Sequence, residues 1–221
     1  RPTVLRLSDE AETAVNLADP DAVLGSGPGG CLAVVGFEGA AADVSSRREA
    51  CDEALAAAGG EPLGREPGEA WRTGRYRAPY LRDPLLDAGA FVETLETATF
   101  WSKLSDLRVA VTTALTDALR DAGTPPVVLC HISHVYETGA SLYFTVLCAQ
   151  ADDPIAQWAK AKFAANAAIR GVGATITHHH GVGTDHRAAY HEEIGPLALD
   201  VLRAAKTALD PAEILNPGVL I

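Results

Sequence analysis

The stretch from Gly89 to Thr177 constrains the fold more than any other part of the chain. Ala90 to Ala98 alternates apolar and polar residues as a half-buried strand does. Ser102 to Ala122 then sets Leu104, Leu107, Val111, Leu115 and Leu119 on one stripe of a long helix, which Gly123-Thr124-Pro125-Pro126 stops. Val127–Val135 and Ser141–Ala149 read as two strands joined by a turn at Glu137-Thr138-Gly139. Asp152-Asp153-Pro154 opens a further helix, with proline in its first turn, reaching Arg170. Gly171-Val172-Gly173 ends it, and Ala174–Thr177 reads as a short last strand. The order β-α-β-β-α-β is the split βαβ arrangement: a ferredoxin-like antiparallel sheet with helices on one face.

The segments around this unit extend it. Thr3–Leu7 reads as a strand, and Ser8 as the cap of a helix carrying Ala11, Ala14, Val15 and Ala18 on one face. Gly25-Ser26-Gly27-Pro28-Gly29-Gly30 is followed by a strand, Cys31–Phe37, and not by a helix start, so it reads as a plain loop and not as a phosphate cradle. A helix over Ala41–Ala58 ends at Gly59-Gly60. Beyond Thr177, helices over Thr184–Glu193 and Gly195–Ala208 close the chain. The expected class is α+β, with C-terminal helices added to the sheet.

Composition excludes several classes of function. With 221 residues, 48% apolar and 21% charged, the chain holds enough apolar material for one large domain or two small ones, and is not disordered. The formal charge of −11, with no basic stripe, speaks against nucleic acid as a partner. No run approaches the roughly 18 apolar residues of a membrane-spanning helix. Four cysteines, Cys31, Cys51, Cys130 and Cys148, are too few for a disulfide scaffold and point to a reducing, cytoplasmic setting.

Two segments carry candidate chemistry. Between Glu61 and Pro84, Arg72, Arg75, Arg77 and Arg82 stand beside Trp71, Tyr76 and Tyr80, a local cationic exception in an acidic chain. It reads either as a surface segment or as an anion pocket, since guanidinium matches carboxylate and phosphate. The other is His178-His179-His180-Gly181-Val182-Gly183. Strand alternation would send His178 and His180 to one side and His179 to the other. Zinc would need more ligands, and His131, His134 or His186 fit no known ligand spacing, so no metal is expected. His131 and His134, three apart on a strand, should face opposite ways. Asp185, His186, His191, Glu192 and Glu193 read as a solvated helix face.

The closing Asp210-Pro211 and Ile214-Leu215-Asn216-Pro217-Gly218, with His180-Gly181-Val182-Gly183, resemble the C-terminal signature of FAD-linked oxidases of the vanillyl-alcohol-oxidase type. The triple histidine, with Thr138-Gly139-Ala140-Ser141-Leu142-Tyr143-Phe144 and Tyr80-Leu81-Arg82-Asp83 before it, resembles the alkyldihydroxyacetonephosphate synthase branch. Ser141, where that branch commonly has cysteine, Thr184, where it often has lysine, and Asn216-Pro217-Gly218 are departures from it.

The resemblance implies roles. Tyr143 would take part in proton transfer, with His178, His179 and His180 beside flavin and substrate. Arg82 would hold a substrate phosphate, with Ser141 nearby. His180, Gly181, His186 and Asn216 would adjoin FAD. Residues 1–177 would then form a substrate-binding cap domain, and residues 178–221 the His-rich loop and helices that complete the flavin site. The FAD-binding domain, absent from this chain, would precede it as its partner, so that the chain alone would be inactive. The substrate would be a small anion bearing phosphate or carboxylate, and the reaction an acyl-to-alkyl exchange without net oxidation. A 2-hydroxyacid dehydrogenase of the glycolate or D-lactate type and a stand-alone ligand-binding module are the alternatives. A homodimer is left open.

Overall fold

A computed structural model describes residues 2–15 and 30–221. The proposed helix face beyond Val15 and nearly all of the glycine-rich loop therefore lie outside the described residues. The elements run β1 (Val4–Ser8), α1 (Glu10–Val15), β2 (Leu32–Gly36), α2 (Ala41–Ala57), α3 (Glu66–Gly74) and α4 (Arg82–Asp87). There follow β3 (Ala90–Phe100), α5 (Leu104–Arg120), β4 (Val127–Val135), β5 (Gly139–Ala149), α6 (Pro154–Val172) and α7 (Gly183–Leu209).

Five strands form one antiparallel sheet in the order β2-β1-β4-β5-β3. The split βαβ unit is present: β3, β4 and β5 with α5 and α6. Its last strand is reduced to a single antiparallel bridge, Thr175 with Ala98, on the outer edge of β3. β1 and β2 extend the sheet on the β4 side, which completes the α+β architecture.

Residue alternation decides which face is packed. Phe91 and Leu95 of β3, with Leu142, Phe144 and Val146 of β5, face Leu107, Val111, Leu115 and Leu119 of α5 and Ala161, Ala165 and Ile169 of α6. Those four α5 residues are at most 1% exposed, and burying each is worth roughly 1.5–3 kcal/mol. The apolar stripe of α5 thus holds the sheet to its helices.

Local chemistry sets the boundaries. Asp153 caps α6 by accepting the Ala156 N–H at 3.0 Å, and Gly173 ends it in the left-handed conformation at φ 72°. At the other end of the chain, Asp9 and not Ser8 caps α1: its Oδ1 accepts the Glu12 N–H at 2.9 Å. The strand runs one residue further than its apolar pattern, which shifts the cap to the next oxygen-bearing side chain. α7 contains both C-terminal helices, divided at Gly195 (φ 75°) ahead of Pro196. The segment from Glu61 to Pro84 carries α3 and the start of α4.

Candidate active site

Register lines up one residue from each of four strands. Glu96 of β3 stands opposite Tyr143 of β5, Tyr143 opposite His131 of β4, and His131 opposite Ser8 of β1. This row lies on the face turned away from α5 and α6. Arg6, two residues before Ser8, shares that face.

The histidine segment covers the Glu96 end. Thr97 Oγ1 donates to the Thr175 carbonyl at 2.6 Å, and the Ile176 N–H donates to Glu193 of α7 at 2.7 Å, which fixes the chain entering the segment. His179 then takes the left-handed conformation at φ 44°, and the His180 N–H donates to the His178 carbonyl at 2.6 Å. This tight turn breaks the alternation a strand would impose. All three imidazoles therefore reach the same buried carboxylate, in place of the two-and-one split expected from the sequence. His178 Nδ1 lies 3.2 Å from Glu96 Oε1, while His179 Nε2 and His180 Nε2 lie 3.1 and 3.2 Å from Oε2. With Glu96 as a carboxylate, His178 donates through Nδ1 and accepts the Tyr136 hydroxyl at Nε2, 3.1 Å away.

A second irregularity brings in His134. The β4–β5 ladder shifts register between Ser133 and Val135, and His134 sits at φ 45° in that bulge. Its ring meets His179 edge-on at 4.6 Å, so His131 and His134 both join the cluster although they stand three apart. Burial lowers the His134 pKa and outweighs the raising effect of Glu96.

The other end of the row is an ion-paired cluster. His131 Nδ1 lies 2.9 Å from Glu12 Oε1, and the same oxygen accepts a hydrogen bond from Arg6 at 2.9 Å. Burial pushes the Glu12 carboxyl up, but the His131 hydrogen bond and the charges of His131 and Arg6 bring it below its ordinary value. The His131 ring stacks on Tyr143 with centroids 5.0 Å apart and planes 16° from parallel, while His180 approaches the other side at 6.1 Å. Tyr143 is thus bracketed by two imidazoles on a row that ends in carboxylates.

Of the residues singled out from the sequence, Tyr143, His178, His179 and His180 come together. Ser141 lies one step along the same strand face, donating to the Ser133 carbonyl at 2.9 Å. Gly181 accepts the Thr177 hydroxyl through its carbonyl. His186 is half-buried, and its pKa is lowered by burial and by Lys162 of α6. Arg187 and His191 bond the Gly218 and Leu220 carbonyls, and so hold the tail that carries Asn216 against α7. With Glu193 on Ile176 and Glu192 on Arg170, this helix face is a clasp and not simply solvated.

Arg82 is exposed at the start of α4 and makes no hydrogen bond or ion pair among the described residues. The cations at the row are Arg6, whose pKa is lowered by burial and to a lesser degree by Arg75, and Arg75 itself, which stacks on Trp71 and Tyr76 at 4.8 Å. Sequence reasoning missed Glu96, Glu12, Arg6 and Tyr136. The available signal for Glu96 was a carboxylate at alternate spacing to apolar residues, which usually marks a wet strand face.

The outer halves of His179 and His180, each 49% exposed, offer polar aromatic edges toward solvent with a carboxylate fixed behind them. Such edges suit the rim of a flavin ring, which carries hydrogen-bonding nitrogens and carbonyls, so the residues present fit FAD.

The chain has relatives among known proteins. The chain is 33% identical over 192 residues to an alkyldihydroxyacetonephosphate synthase of Dictyostelium discoideum, covering 86% of this chain and 31% of that protein. A shorter match, 45% identical over 47 residues, 21% of this chain and 10% of the relative, links it to a probable mitochondrial D-lactate dehydrogenase of Danio rerio. A solved alkyldihydroxyacetonephosphate synthase superposes with a TM-score of 0.70 and 27% identity, covering 98% of this chain and 39% of that one. The chain thus spans about a third of the synthase relatives it matches. The family model for FAD linked oxidases, C-terminal domain, matches residues 1–220, and the chain belongs to that family.

Proposed function

We propose that this chain supplies the substrate-binding and proton-transfer half of an FAD-dependent enzyme of the alkyldihydroxyacetonephosphate synthase type. The observation that carries the reading is Tyr143, held between His131 and His180 on a strand row flanked by Arg6. As a phenolate, a side chain so placed would take a proton from a substrate carbon and pass it to an imidazole. His131 is kept in place by Glu12, so the ring facing Tyr143 does not swing. Arg82, unpartnered among the described residues, is free to grip a phosphate by both arms of its guanidinium. Bound FAD, held largely by a partner domain N-terminal to this one, supplies the electrophilic ring. His180, Gly181, His186 and Asn216 would border it, and His178, His179 and Ser141 would line the substrate. We place the enzyme in the cytoplasm.

The test uses the enzyme with its flavin domain. Tyr143→Phe should lower kcat by about two orders of magnitude, the range of a lost general base, with an unchanged melting temperature. Arg82→Ala should raise KM for a phosphate-bearing acyl substrate and leave kcat nearly intact. Normal kinetics in both variants would refute the assignment. The local match to a D-lactate dehydrogenase favours a second reading, oxidation of a 2-hydroxyacid. Turnover with a 2-hydroxyacid and an electron acceptor, and none with acyl-dihydroxyacetone phosphate plus a fatty alcohol, would select it.

A further inference from the structure

Glu96 Oε2 is a buried acceptor without a donor among the described residues. The Glu96 side chain is 1% exposed, and none of those residues makes a hydrogen bond to this oxygen. Yet His179 Nε2 and His180 Nε2 stand 3.1 and 3.2 Å from it. Two ring nitrogens thus converge on one carboxylate oxygen without aiming an N–H at it. A buried carboxylate oxygen left without a partner is unfavourable, and imidazoles that approach by their ring nitrogens are equally able to present lone pairs.

We propose that Glu96, His179 and His180 form a binding site for one divalent transition-metal ion of the zinc class. Each residue offers one ligand atom, and the three atoms lie within 4.8 Å of one another. Ligands about 2.0–2.1 Å from a tetrahedral ion stand roughly 3.3–3.4 Å apart, and from an octahedral ion about 3.0 Å apart. The two nitrogen–oxygen separations, 3.1 and 3.2 Å, fall between these limits. Two imidazoles with one carboxylate select zinc, cobalt or ferrous iron over magnesium and calcium, which take oxygen ligands alone.

The surroundings support the ligands. His178 holds Glu96 Oε1 through Nδ1 and is itself held by the Tyr136 hydroxyl, the outer layer that fixes a ligand carboxylate. His134 packs edge-on against the His179 ring. The half-exposed imidazoles leave room for water or a substrate oxygen as a further ligand, as in sites with three protein ligands. The inference stands on these three atoms and does not depend on the flavin chemistry.

The test is made on the tag-free chain, stripped with a chelator and titrated with Zn²⁺ by calorimetry and with Co²⁺ by visible absorption. One ion per chain should bind, with a Kd of about 10 µM or tighter, and Co²⁺ should give ligand-field bands. Glu96→Gln and His180→Gln should each weaken binding by about 100-fold or more. His180 is half exposed, so its substitution keeps the fold even where that of Glu96 does not, and circular dichroism checks both. Less than about 0.2 ion per chain, or binding that both variants leave unchanged, would overturn the site. Neither readout involves flavin or substrate, so failure here is separate from failure of the enzymatic reading.

Discussion

Two glutamates three residues apart on β3 show what sequence does and does not disclose about single residues. Glu93 and Glu96 look alike in Phe91-Val92-Glu93-Thr94-Leu95-Glu96-Thr97. Alternation sends them to opposite faces: Glu93 to α6, where it accepts the Trp158 indole N–H and pairs with Lys162, and Glu96 beneath the histidines. Which face was which depended on helices elsewhere in the chain, and no local pattern carries that. Tyr143 and the three histidines were legible because their motifs are local; the carboxylate that the histidines share, about 80 residues upstream of them, was not. Glu12 is a similar case and gives a prediction at this scale. Its Oε1 joins Arg6 and His131, so Glu12→Gln removes the charge from both bonds while keeping the shape. Hydrogen bonds to charged groups contribute about 1.5–3 kcal/mol each, so a loss of roughly 2 kcal/mol is expected. The Glu12 carboxyl is held below its ordinary value in the folded chain. Its stabilisation is present above about pH 4.3, the unfolded value, and is lost as pH falls through the folded one. Urea unfolding at pH 7 and pH 4 should show the variant losing more at pH 7. Equal losses would remove Glu12 from the ion-paired cluster.

At the scale of elements, periodicity located the strands and helices from Ala90 to Arg170 because each has a buried face that its own residues announce. It failed where backbone geometry overrode the pattern. Residues 174–177 have the composition of a strand, but the left-handed turn at His179 and the bond from Ile176 to Glu193 pull the segment off the sheet after one bridge. The bulge at His134 likewise depends on pairing, which a single strand does not reveal. The hairpin between β4 and β5 is the element that sets the register of the site row, and Gly139 at its start allows no side chain. A Cβ there would lie 2.0 Å from the Thr99 carbonyl oxygen and 2.9 Å from the Phe100 Cα, both backbone. Gly139→Ala must therefore push β3 from β5 at the end of the ladder nearest Tyr136 and the histidines. Gly123→Ala makes the fitting comparison. Gly123 has φ 78° with nothing within 4 Å of its Cβ position, so alanine there meets conformational strain alone, of about 1 kcal/mol. The Gly139 variant should lose at least 2 kcal/mol more than this, the scale of overpacking against a rigid partner. Matching urea midpoints would show that the hairpin yields freely and does not fix the row.

The whole molecule brings together residues 6, 12, 96, 131, 143 and 178–180, which no stretch of sequence places near one another. Four strands supply the row, the segment after α6 covers it, and α7 clamps that segment through Glu193. Its first turn also carries His186, whose Nδ1 is buried without a partner among the described residues and whose pKa is lowered by burial and by Lys162, against the pull of Asp185 and Glu93. The unfolded chain takes up a proton at such a histidine at about pH 6.5, before the folded chain does. Stability from this group is thus complete above pH 6.5 and is lost as pH falls through the lower folded value. Glu12 acts in the same direction over a lower range. Acidification also moves the chain from its charge of −11 toward its isoelectric point near 5.0, so charge repulsion relaxes over the same interval and opposes the loss. The buried groups decide the sign if their effect exceeds the diffuse one. The melting temperature should then hold steady from pH 8 to pH 7 and fall between pH 6.5 and pH 5.5. His186→Gln should flatten that upper limb while leaving the steeper loss near pH 4 in place. A melting temperature that rises on acidification to pH 5.5 would mean that surface repulsion, and not the packing of α7 over the site, governs how this fold responds to pH.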